Sequence, residues 1–99
     1  MNVRFLLEAA VEFDGAIDYY NERRVGLGQE FAIDVQNGIA RLTEYPNAWR
    51  SVGRQTRCYQ LNRFPFGLVY SVRQTEILIV AVMHLHRKPG YWRDLLTAP

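Results

Sequence analysis

The chain has 99 residues, 48% hydrophobic and 13% aromatic, with 12 basic and 10 acidic side chains and a net charge of +2. That length supports one compact domain, residues 1–99, and is too short for two, while the apolar and aromatic content excludes a disordered chain. One cysteine excludes an internal disulfide, and one Cys with two His argues against a structural zinc site, so neither metal nor cofactor is expected.

Met1–Glu8 has no long apolar stretch. The longest aliphatic run, Ile77–Met83, falls far short of the roughly 20 residues that span a bilayer. No targeting segment and no membrane association are therefore expected, and the lone cysteine fits a cytoplasmic location. Val3–Leu6 reads as a short strand. A helical pattern follows: Ala9/Ala10, Phe13, Ala16/Ile17 and Tyr20 recur at helical spacing, with Glu12, Asp14, Asp18 and Glu22 on the other face. Gly15 weakens this helix by about 1 kcal/mol relative to alanine, and Val25-Gly26-Leu27-Gly28 ends it. A second helix is predicted from about Leu27 to Glu44, burying Phe31, Val35, Ile39 and Leu42. Tyr45-Pro46 stops it, because a residue before proline avoids the helical region. Two helices joined so closely form an antiparallel hairpin.

After Pro46 the period changes. Arg57–Leu61 and Phe66–Val72 are strand-like, the latter with aromatic and β-branched residues. Ile77–Val82 is a continuous apolar run, as in a central strand buried on both faces. Gln74–Glu76 leaves room only for a tight turn, and Pro65 belongs to a turn or an edge. The predicted order is β-α-α-β-β-β with a short C-terminal tail, an α+β fold.

Charge is unevenly spread. Residues 1–45 carry eight acids and four arginines, a net of −4, whereas residues 46–99 carry eight bases and two acids, a net of +6. A basic half suits an anionic partner, nucleic acid or an acidic protein segment. Acids coating two helices and bases coating a sheet would produce the same asymmetry. Arginine outnumbers lysine eleven to one, which fits bidentate contacts to phosphate or carboxylate and equally a compositional bias.

The densest reactive cluster follows the last strand: His84-Leu85-His86-Arg87-Lys88-Pro89-Gly90-Tyr91-Trp92-Arg93. Strand alternation puts His84 and His86 on one face, where either imidazole can act as acid or base near neutral pH. Arg87 and Arg93 suit phosphates or carboxylates, and Tyr91 and Trp92 suit stacking on bases. His84, His86, Arg87 and Tyr91 are thus the catalytic candidates. Arg57, Arg63, Arg87, Lys88, Trp92 and Arg93 are the candidates for binding a target. Structural readings stand beside these: a hydrogen-bonded histidine at a strand end, an ordinary Pro-Gly turn, a Tyr-Trp pair over a core edge, and a packed rather than nucleophilic Cys58.

An early Ala-rich helix ending in Tyr19-Tyr20, then Gly28-Gln29-Glu30-Phe31 and Tyr45-Pro46-Asn47-Ala48-Trp49, resembles the RelE/ParE superfamily of bacterial toxins. So do Arg63-Phe64-Pro65-Phe66-Gly67-Leu68-Val69-Tyr70 and Ile79–Trp92, and together these segments cover nearly the whole chain in order. The resemblance implies a helical hairpin packed on a twisted antiparallel sheet. It also implies a growth-inhibiting toxin of a plasmid-stabilisation-type toxin–antitoxin system, held in a hetero-oligomer with a cognate antitoxin. RelE-like members cut mRNA in the ribosomal A site, with basic residues alternating on the strand before the turn and an arginine directly before Leu-Val-Tyr. Those positions here hold Gln60, Asn62 and Gly67. ParE-like members inhibit DNA gyrase by binding and need no such set, so the sequence looks closer to ParE. A ribosome-dependent endoribonuclease and a non-toxic antitoxin-binding module are the alternatives.

Overall fold

A computed structural model describes residues 1–86. Strand β1 (Asn2–Phe5) leads into helices α1 (Leu7–Arg23) and α2 (Leu27–Glu44), followed by β2 (Arg50–Gly53), β3 (Thr56–Gln60), β4 (Phe66–Val72) and β5 (Glu76–His84). The strands form one sheet in the order β1-β5-β4-β3-β2. This is the expected α+β arrangement with two additions. A further short strand, β2, precedes the three expected ones. Arg50-Ser51-Val52-Gly53 has little strand character of its own, and pairing with β3 makes it one. The other addition is direction: β1 runs parallel to β5, while all other pairs are antiparallel. Alternation reveals a strand but not its direction.

The helices form as their apolar spacing demands. α1 buries Ala9 and Ala16, and α2 buries Phe31, Val35 and Leu42. α1 stops at Arg23, and Gly26 carries the turn with φ +89°, a left-handed conformation open to glycine at no steric cost. Gly28 then lets the two helices meet. A Cβ there would lie 2.4 Å from the Ile17 carbonyl oxygen, and its N–H donates to the Asn21 side-chain oxygen at 2.8 Å. α2 ends before Pro46 as expected, with the Tyr45 N–H on the Arg41 carbonyl at 3.0 Å.

The main core lies between the helical hairpin and one sheet face. Its centre is aromatic: Tyr20, Phe31, Phe64 and Phe66 stack with ring centroids 4.8 to 6.2 Å apart. Each such pair contributes about 0.5–1.5 kcal/mol beyond its buried area. The Phe64-Pro65-Phe66 segment delivers two of these rings through a three-residue turn, closed by the Phe66 N–H on the Phe64 carbonyl at 2.8 Å. Arg63 anchors that turn to α2. Its backbone N–H donates to Asp34 at 3.1 Å, and its guanidinium pairs with Glu30 at 2.7 Å. Cys58, Val69, Leu78, Val80, Ala81 and Met83 make a smaller cluster on the opposite face, so β5 is buried on both sides, as its continuous apolar run predicts. Burial also pushes the Cys58 thiol up, which keeps it protonated and unreactive.

Candidate functional site

A bulge in β5 sets the candidate site. Val69 stands opposite Ala81 and Tyr70 opposite Ile79, so Val80 is an extra residue in the ladder. Val80 and Ala81 both belong to the outer cluster, while Ile79 and Val82 belong to the main core. The extra residue therefore shifts the alternation by one. Beyond it the even-numbered residues, Val82 and His84, take the helix side. His84 meets Phe66 edge to face, with centroids 5.1 Å apart.

His84 thereby enters a cleft of about 510 Å³, lined by Glu12, Ala16, Tyr19 and Tyr20 of α1 and by Pro65, Phe66, Val82 and His84. β1 pairs with β5 only as far as Ile79, and at Val82 the Glu12 carboxylate takes over. It accepts the Val82 N–H at 3.0 Å, joining α1 to the strand where β1 has ended. His86 lies beside His84, with ring centroids 5.1 Å apart, and its backbone N–H donates to His84 Nδ1 at 3.2 Å. An N–H aimed at Nδ1 requires a lone pair there, which leaves the ring proton of the neutral imidazole on Nε2. The next turn is closed by the Leu85 N–H on the Pro65 carbonyl at 2.9 Å, so the histidines and the Arg63–Phe66 turn share one end of the sheet.

The predicted site residues are thus distributed unequally. His84 and His86 are brought together. Arg87, Lys88, Tyr91, Trp92 and Arg93 lie outside the described residues. Arg63 is near the histidine end but is engaged by Glu30. Arg57 is elsewhere: it stands opposite Tyr70, whereas His84 stands opposite Phe66, a separation along β4 of roughly 13 Å at strand rise. Its guanidinium donates to the Trp49 carbonyl at 2.8 Å, holding the loop after α2. Gln60 and Asn62 are exposed neutral side chains. Gly67 is buried, and a Cβ there would lie 2.6 Å from Cys58 Sγ. Sequence reasoning missed the α1 wall of the cleft. Glu12 looked like one acid on a solvated face, although residues 12, 16, 19 and 20 follow i, i+4 and i+7/8 spacing, the mark of one helical stripe.

The cleft can present a carboxylate, an imidazole and aromatic rings to a ligand. Among the described residues no group of three His, Cys, Asp or Glu side chains is placed to hold a metal ion, and no helix is long and apolar enough to cross a membrane.

A helical hairpin on one face of a five-stranded mixed sheet, with an Arg-Phe-Pro-Phe turn beside the last strand, is the architecture of a RelE/ParE-superfamily toxin. The family model described as the ParE toxin of type II toxin-antitoxin system, parDE, matches residues 3–89, and the chain belongs to that family. A solved structure titled "Chromosomal ParDE TA system from P. aeruginosa" shares the fold with a TM-score of 0.78, at 23% identity over 87% of this chain and 97% of that one. No curated protein sequence matches the chain.

Proposed function

We propose that this ParE-family toxin inhibits growth by binding its target, DNA gyrase, rather than by cleaving RNA, and that a cognate antitoxin neutralises it in the cytoplasm. Gly67 is the observation that carries the non-enzymatic reading. It occupies the position before Leu68-Val69-Tyr70 where the ribonuclease pattern has an arginine, and a Cβ there would lie 2.6 Å from Cys58 Sγ, so any side chain requires that buried thiol to move. Gln60 and Asn62 supply no charge on the adjoining segment. Cleavage of an RNA phosphodiester needs cations around the developing phosphorane as well as an acid and a base, and these positions provide none. Purified protein is expected to block gyrase supercoiling at micromolar excess. Undisturbed supercoiling together with growth arrest would refute the gyrase target.

The antitoxin reading is supported by apolar side chains that the fold leaves uncovered. Leu7 and Val11, one turn apart on α1, are 74% and 62% exposed, and Ile33 on α2 is 56% exposed. A partner segment that folds as it binds would bury them. Co-expression with the protein encoded next to it should restore growth, and Val11→Asp should weaken that rescue.

The contact between His84 and His86 favours a second reading, a ribosome-dependent endoribonuclease. Codon-positioned cuts in translated mRNA, lost in His86→Ala, would establish it in place of the first.

A further inference from the structure

At the other end of the sheet from His84, the β2–β3 hairpin and the loop after α2 enclose a second cleft, of about 310 Å³. Its walls carry Arg54, Arg57, Asn47, Ser51, Gln55 and Thr56, over Tyr70 and Val72. All six wall side chains carry hydrogen-bond donors, the Ser51 hydroxyl being engaged by the Gly53 carbonyl at 3.2 Å, and no carboxylate among the described residues lines the cleft. Arg4 is paired with Glu76, and Arg24 and Arg63 with Glu30; no ion pair among the described residues involves Arg54 or Arg57, so no carboxylate competes for either guanidinium.

Arg57 is half-buried, so its charge is less screened by water than that of a surface arginine. Its bond to the Trp49 carbonyl orients the guanidinium and occupies one of its N–H groups, leaving the others for a ligand. Gly53 lines the same cleft, and a Cβ there would lie 2.4 Å from the Thr56 hydroxyl oxygen. Only a residue without a side chain allows β2 to pass so close to Thr56, which is itself buried at the floor of the cleft. The donors come from three segments: the loop after α2, β2 with its turn, and β3. A carboxylate is planar and is satisfied by one guanidinium fork. Donors carried on three segments around one cleft suit a tetrahedral group with several oxygens better than a planar one.

We propose that this cleft binds a phosphoryl group, carried by a mononucleotide or by a nucleic-acid backbone. The site is separate from the histidine cleft and does not rest on the choice of toxin target. The test is an amide NMR titration of the full chain with inorganic phosphate, adenosine monophosphate and a short DNA duplex, with acetate as the planar comparison. Saturable shifts centred on Asn47 and residues 51–57 are expected with phosphate and not with acetate. Arg54→Gln, at an exposed position, should keep the fold and weaken binding about tenfold. Arg57→Lys should weaken it too, because an ammonium keeps the charge but lacks the fork. Tighter binding of the mononucleotide than of phosphate, with no response to DNA, identifies a nucleotide. A DNA affinity that falls steeply with salt, less steeply in Arg54→Gln, identifies the backbone. Shifts confined to other regions, equal binding of acetate, or an Arg54→Gln protein that binds undiminished would overturn the proposal.

Discussion

Replacing Gly15 with alanine and replacing Gly28 with alanine should move stability in opposite directions, although both are glycines in helices. Gly15 sits inside α1 with nothing within 4 Å of the position its Cβ would take. A methyl there removes backbone freedom from the unfolded chain and meets no obstacle, a gain of about 0.5–1 kcal/mol. Gly28 gains the same helix preference, but its Cβ would lie 2.4 Å from the Ile17 carbonyl oxygen and 2.6 Å from the Asn21 side chain. A backbone atom cannot swing aside as a side-chain tip can. The helices must separate, at the overpacking cost of about 1–3 kcal/mol, and the Asn21 contact to the Gly28 N–H is strained as well. In a domain of this size about 1 kcal/mol corresponds to a Tm change of roughly 4–8 °C. Urea and thermal unfolding of the three proteins measure both effects, and an unchanged m-value confirms that stability changed without a change in the surface exposed on unfolding. A Gly15→Ala protein less stable than the parent, or a Gly28→Ala protein as stable as the parent, would refute the argument.

Asp34→Ala removes the buried carboxylate that accepts the Arg63 N–H and should cost about 1–3 kcal/mol, read from the urea midpoint. Burial pushes the Tyr70 phenol up to about 12. A raised folded value gives stability that is complete below the unfolded tyrosine value of about 10 and is lost as pH rises through the folded one. Base-induced weakening over that window should therefore shrink in Tyr70→Phe, measured by stability against pH. Arg63 and then Arg24 hold Glu30 below the usual carboxylate range, and Arg4 does the same for Glu76. A lowered folded value gives stability that is present above the ordinary glutamate value of about 4.3 and is lost as pH falls through the folded one. Glu30→Gln should flatten the acid limb of a Tm-against-pH curve, and added salt should shrink the difference because these pairs are exposed.

Much of the fold is legible in the chain because it depends on spacing. Of the predicted α2 stripe, Phe31, Val35 and Leu42 are buried as read and Ile39 is half-buried against the core, and Pro46 ends that helix. The doubly buried β5 follows from its unbroken apolar run. β2 was not legible, since Arg50–Gly53 becomes a strand only by pairing with β3. The candidate site was legible in part. His84 and His86 are adjacent because they are close in sequence. The α1 wall was hidden because an acid on an amphipathic helix reads the same whether it faces water or caps a strand. Arg57 and Arg63, grouped as candidates for binding a target, are separated by the length of β3 and hold different partners.

By itself, then, the sequence determined the order and extent of the helices, the central strand, and a family resemblance carried by the Arg63–Tyr70 and Ile79–Trp92 segments. These are local properties, set by backbone dihedrals and side-chain periodicity. Tertiary structure alone decided the rest. The extra residue Val80 turns His84 toward α1. Glu12 reaches Val82 across 70 positions of chain, and Gly67 lies so close to Cys58 that a Cβ there would meet its Sγ at 2.6 Å. Each of these depends on which distant atoms arrive within a few ångströms of one another, and no local pattern encodes that distance.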